Sequence, residues 1–307
     1  MKKYTPIMIS LVLVVIAAVF AIKQKFSSSV ERSPKAVSFY DIGSFAPKRN
    51  CAVLPSFVTK LGIKRPIIDL TQQRFKGIAI LSANKILHPK KWERFEHFST
   101  YSLDEKGNIY LAPMPYISIK PTTFNLQKNI YKLDSKSGEI SVFMELADVN
   151  PSANNPFGII SLVYDCDDKT LWVSAIDETD YSKQRGVIYH IDTENKKILQ
   201  RIEGIDALTL QLLYTEKGKY LLAGAARDNA LYAYSIQKGT LDLEAIKLLS
   251  LPSPNEHIRK IKIKKYNMLE LQTVPFAYTL IARATNHNRM HYRAYWNHKN
   301  MQWRLDK

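Results

Sequence analysis

The segments LVYDCDDKTLWVSA (162–175) and VIYHIDTENKKILQRI (187–202) decide how the chain reads. Each is an apolar run, a tight polar turn and a second apolar run rich in aromatic and β-branched residues, which is the pattern of an antiparallel hairpin. Two hairpins in succession give four strands. The unit recurs as YSLDEKGNIYLAP (101–113) with NIYKLDSKSGEISVF (129–143), and as LLYTEKGKYLLAGA (212–225) with ALYAYSIQKGTLDLEAI (230–246). A more degenerate copy is IKIKKYNMLELQTV (261–274) with HYRAYWNHKNMQWRL (291–305), and a half-unit, GIAILSANKILHP (77–89), lies upstream. The spacing is 50 residues from Asp168 to Gly218 and 48 from Gly218 to Tyr266, the period of a propeller blade. No apolar period of 3.6 is sustained, so helical repeats are excluded. The expected fold is all-β: a five- or six-bladed β-propeller of four-stranded antiparallel blades over residues 66–307, preceded by an N-terminal apolar helix.

EKGNIYLAP, with the later IYKLDSKSGEI, resembles the blade phrases of the NHL and SMP-30/gluconolactonase-like propellers, a superfamily that includes strictosidine-synthase-like enzymes. The resemblance covers about residues 77–307 and rests on structural positions. It implies the fold directly, and it implies a place to look for a metal. In SMP-30-like lactonases a Pro-Asn-Gly at the start of an innermost strand supplies a ligand Asn, and the matching residues here are Pro156, Phe157 and Gly158. A phenylalanine has no oxygen for a hard cation. The family's Pro-Asp-Gly, whose Asp serves as ligand and base, corresponds to about Asp206-Ala207-Leu208, and the expected Glu falls at His97, Phe98 and Ser99. The ring of Phe157 is expected to point to the axis in place of a cation. Asn154 and Asn155 offer amide oxygens nearby and Asp206 a carboxylate, which is the route to Ca²⁺ as an alternative to no cofactor.

The ends of the chain bear on compartment and partners. Pro6–Ile22 is 17 residues without charge behind Lys2 and Lys3, the organisation of an export signal. Residues 1–29 read as a signal sequence or a membrane anchor, with Lys23 and Lys25 directly after the apolar run favouring retention; residues 30–65 read as a linker into the propeller. The protein is thus expected outside the cytoplasm, anchored facing the periplasm or cell exterior, or secreted if cleaved. Cys51 and Cys166 are the only cysteines and are compatible with one disulfide there. The net charge is +16, and Glu256–Lys307 holds 11 Lys or Arg against 3 acids, so the last blade could attract an anionic ligand. Within it RKIKIKK (259–265) alternates Lys260, Lys262 and Lys264 with Ile261 and Ile263, which would send some lysines into the channel from an innermost strand. Nucleic acid is disfavoured, because the basic run has no interleaved stacking aromatics.

Loop lengths divide the two faces of the disc. One set of turns is short (EKGN, DDKT, EKGK, KSGE, TENK, NHKN); the other is long and polar, at 113–129, 147–156, 175–186, 225–229, 252–257 and 284–289. Rigid scaffolds place recognition on long loops. The candidate ligand-binding residues are therefore Asn154, Asn155, Asp177, Glu178, Arg185, Asp206, Arg227, Asp228, His257 and His287. His287 and His291 have the spacing of a helical metal pair but lie where a loop enters a strand. Phosphate-loop, dinucleotide, zinc-protease and serine-nucleophile motifs are absent. No catalytic residue or metal ligand is assigned. The expected function is a non-catalytic extracytoplasmic module binding a protein or envelope component, with a hydrolase of the SMP-30/gluconolactonase kind, its site rearranged, as the alternative.

Overall fold

The structure is a computed structural model that describes residues 42–46, 52–63, 65–70, 76–83, 85–114, 124–278, 289–297 and 299–306. All of them belong to one compact unit, Ala36–Lys307. Pro6–Ile22, its expected helix, Cys51 and His287 lie outside the described residues, among which no helix is long and apolar enough to cross a membrane.

Among the described residues five antiparallel sheets form a propeller ring, the lower of the two blade numbers expected from the repeat. The first has three strands, β1 (Ile67–Asp69), β2 (Ala79–Ser82) and β3 (Lys85–Leu87), one fewer than expected among the described residues. The second blade is β4 (Phe98–Leu103), β5 (Ile109–Pro113), β6 (Asn129–Leu133) and β7 (Ile140–Glu145); the third is β8 (Ile159–Asp165), β9 (Thr170–Ala175), β10 (Val187–Asp192) and β11 (Lys197–Glu203). The fourth holds β12 (Ala207–Thr215), β13 (Gly218–Ala225), β14 (Ala230–Gln237) and β15 (Thr240–Ser250), and the fifth β16 (Glu256–Lys264), β17 (Met268–Pro275), β18 (Met290–Asn297) and β19 (Gln302–Asp306). Strands β4, β8, β12 and β16 are innermost, each packed on the next.

The repeated turns have a local cause. In DEKGN the Asp104 carboxylate accepts from the backbone of Lys106 and Asn108 and from the Asn108 amide, while Gly107 takes φ +79° against Leu54 and Ser135. Asp134 and Asp192 close the corresponding outer turns in the same way. Apolar faces of successive blades then interdigitate: Tyr110 stacks on Tyr164 between blades two and three, and Trp172 packs with Leu221 and Tyr234 between three and four. Residues 42–46 and 52–63 run over the short-turn face, with Ile42 fully buried beside blades four and five, and a short helix, α1 (Ser56–Lys60), seated on blade two. Cys166, in the short turn of blade three, is disulfide-bonded.

Three buried histidines, His97, His190 and His257, have their pKa lowered chiefly by burial. His190 lies flat on Trp172 at 3.9 Å and contacts the Thr170 hydroxyl. Because the fold disfavours the imidazolium, the unfolded chain binds more protons below its own value near 6.5. Stability is expected to fall as pH drops below about 6.5 and to level off under the depressed native values. Urea midpoints at stepped pH should show the slope, and His190→Gln should flatten it.

Candidate functional site

The innermost strands share one irregularity. Pairing between the first two strands shifts by one residue after Phe98, Ile159, Ala207 and Ile258, so Ser99, Ile160, Leu208 and Arg259 are bulge residues at equivalent positions in four blades. Bulges re-aim side chains and free backbone groups. The preceding residues, His97, Gly158, Asp206 and His257, form a second matched column; the first three accept through their carbonyls from Met114, Ile176 and Ala226. This register places Gly158, not Phe157, level with Asp206.

Asp206 is 3 % exposed. One carboxylate oxygen accepts from the Thr179 hydroxyl at 2.7 Å and the Gly186 N–H at 2.7 Å, the other accepts from the Tyr278 hydroxyl at 3.0 Å, and an Arg227 nitrogen lies 3.9 Å away. A Cβ on residue 186 would overlap this carboxylate and the Ile205 carbonyl, so glycine is what admits the 175–186 loop so close. Burial, followed by the Asp206 charge, holds the Tyr278 phenol well above its usual pKa. Arg227 also donates to the carbonyls of Asp180 and Tyr181, joining the 175–186 and 225–229 loops. Tyr181, itself exposed, stands edge-on to Tyr278, Tyr278 to Phe276, and Phe276 meets Phe157 at 5.4 Å; Tyr278, Phe276 and Phe157 form an apolar cluster with Ile160, Ile176, Leu208 and Ala226 at the start of the inner strands.

The other candidates have separate surroundings. Asn155 is buried and spends its amide on the carbonyls of Ile176 and Thr179 and on the Phe157 N–H, whereas Asn154 is exposed. Asp177, its pKa raised chiefly by burial, accepts from the Asn150 N–H. Glu178 and Arg185 form an exposed ion pair. Asp228 accepts from Tyr232 and the Ala230 N–H, and its carbonyl meets His257 at 3.0 Å. The structure therefore unites Asp206 with Arg227 and Asp228 with His257. It gathers no shared cluster from all of these residues, and among the described residues no group of three or more His, Cys, Asp or Glu could hold a metal.

The lysines of 259–265 are placed otherwise than the alternation suggests. Lys260, Lys262 and Lys264 are exposed, the latter two beside Glu270, while Arg259 enters the channel. Its Nη1 donates to the Leu208 carbonyl at 3.0 Å and its Nη2 to the Ile160 carbonyl, two blades away, at 3.3 Å; the Ser99 hydroxyl reaches the same Ile160 oxygen at 3.0 Å. A bulge inserted between Ile258 and Lys260 causes the difference, because strict alternation holds only without it. Sequence reasoning missed Arg259, Thr179, Phe276 and Tyr278; VPFAYTL, aromatic just beyond a strand, was the available signal for the last two. A separate cavity of about 600 Å³ opens among the short turns, lined by Asp168, His190, Glu194, Gln200 and Lys238 among others, away from these residues.

No family model matches the chain, and no curated protein matches it significantly. Solved structures with a similar fold include a luciferin-regenerating enzyme, 14% identical, covering 72% of this chain and 71% of that one with TM-score 0.44. A glucose dehydrogenase is 13% identical over 64% and 68%, with TM-score 0.41. A gluconolactonase from Xanthomonas campestris is 12% identical over 67% of this chain and 64% of its own, with TM-score 0.42.

Proposed function

We propose that the protein is a non-catalytic binding propeller without a resident metal, displayed outside the cytoplasm at the cell envelope and recognising its ligand or partner over the long-loop face. The observation that carries this reading is the commitment of Asp206: the one carboxylate at the expected ligand-and-base position has both oxygens taken by Thr179, Gly186 and Tyr278. A base must reach the proton it removes, and a cation needs several free oxygens. Aromatic side chains occupy the neighbouring space. Display outside the cytoplasm is supported by the apolar run behind Lys2 and Lys3 and by the disulfide at Cys166, a bond that persists in oxidising compartments. The N-terminal segment would supply the membrane contact.

Calorimetric titration of the full chain with Ca²⁺, Mg²⁺ and Zn²⁺ tests the reading. No saturable micromolar binding is expected, whereas Phe157→Asn should at most add weak binding, since Gly158 rather than residue 157 shares the Asp206 level. Micromolar binding by the unmodified chain that disappears in Asp206→Asn would restore the metal-dependent hydrolase.

A further inference from the structure

We propose that the central channel contains a binding site for a small oxyanion, a carboxylate or phosphate group, held by the guanidinium of Arg259. The inference gives chemical definition to the binding function proposed above and rests on it, though the site is built from different residues than the Asp206 network.

Arg259 leaves β16 at the bulge and crosses the ring, donating to the Leu208 carbonyl of blade four and the Ile160 carbonyl of blade three. Those two bonds use two of the five N–H groups of a guanidinium. Both acceptors are neutral, and no carboxylate among the described residues forms an ion pair with it. Ile160 and Leu208 belong by their side chains to the cluster with Phe157 and Tyr278, so the two carbonyls that hold the cation are fixed by residues packed in apolar surroundings. A buried charge without a counter-charge is costly, and a planar fork with free donors matches an oxyanion. Arg259 as a whole residue is half-buried, so it is not sealed from solvent.

The surrounding field has the same sign. Burial, followed by the charge of Arg289, pulls the Arg259 pKa down to about 10, and Arg259 and Arg289 both contribute to lowering that of Lys260 after burial and Lys262. Arg259 still carries its full charge at neutral pH, and an anion would relieve its mutual repulsion with Arg289 and Lys260. The Ser99 hydroxyl, pointing to the shared Ile160 oxygen from blade two, completes a polar centre to which four bulge residues contribute.

The test is calorimetry and thermal unfolding of the full chain with sodium phosphate and sodium acetate, against sodium chloride at matched ionic strength. Saturable binding and a raised Tm are expected with at least one oxyanion; phosphate alone defines a phosphate site, acetate alone a carboxylate site, and both a general oxyanion site. Arg259→Gln should weaken binding at least 10-fold, with Arg259→Lys intermediate because it keeps charge but loses the fork. Arg289→Gln, at an exposed position, should weaken it several-fold and decides the matter if Arg259→Gln does not fold. Absence of saturable binding, or unchanged affinity in the folded variants, overturns the site. Metal-dependent hydrolysis with oxyanion binding intact would instead remove only the non-catalytic reading.

Discussion

Trp172→Ala is expected to destabilise the protein by about 3–5 kcal/mol, the range for deleting a fully enclosed tryptophan. Trp172 has no exposed surface, stacks flat on His190 and packs with Val163, Leu221 and Tyr234 across the third and fourth blades. Its removal opens space on both sides of one inter-blade seam. The indole N–H has no hydrogen-bond partner, so the residue contributes by volume and ring contact, not by polarity. Trp172→Phe should therefore recover most of the loss, since it removes an unsatisfied donor along with some volume. Guanidinium unfolding monitored by circular dichroism separates the cases. An alanine cost under about 1 kcal/mol would mean that the seam does not hold the blades together.

What the sequence made legible was the part of the fold that repeats. Hairpins 162–175 and 187–202 are β8–β9 and β10–β11 nearly residue for residue, because alternation, β-branching and Asp- or Gly-bearing turns all favour the same structure locally. The column assignment was less legible. Trp172 and Tyr220 lie in the second strands of adjacent units and both are buried on faces turned to the following blade, but strand pairing places Leu222, not Tyr220, level with Trp172. The first strand of each four-stranded blade carries a bulge that composition does not announce, and one extra residue is enough to move the channel position from a lysine to Arg259. In the fifth blade the residue level with Trp172 is Glu270, half-buried beside Lys262 and Lys264, so the repeat keeps its geometry while its chemistry changes. That loops 175–186 and 225–229 share a face followed from connectivity. That Tyr278 closes the network over Asp206 did not, since the two are 72 positions apart and joined by one hydrogen bond.

Asp206→Ala is expected to cost about 3–5 kcal/mol, as for removing one partner from a buried charged network. The side chain is an acceptor for three donors from two segments, the 175–186 loop and the stretch after β17, and each would be left without its present acceptor in a site lined by Phe276 and Tyr278. Arg227 would lose its nearest described carboxylate, but its bonds to the Asp180 and Tyr181 carbonyls would remain, which limits the loss. Asp206→Asn should be milder. Its oxygen can keep the Gly186 and Thr179 bonds if the amide nitrogen faces Tyr278, whose hydroxyl can turn from donor to acceptor. The Asp206→Ala and Tyr278→Phe variants, combined, should cost less than the sum of the two alone, because each removes the same bond. Chemical denaturation of the three variants gives the coupling directly. Additive losses, or an alanine variant as stable as the parent, would show that the carboxylate is not a structural tie and would return Asp206 to candidacy as a functional base.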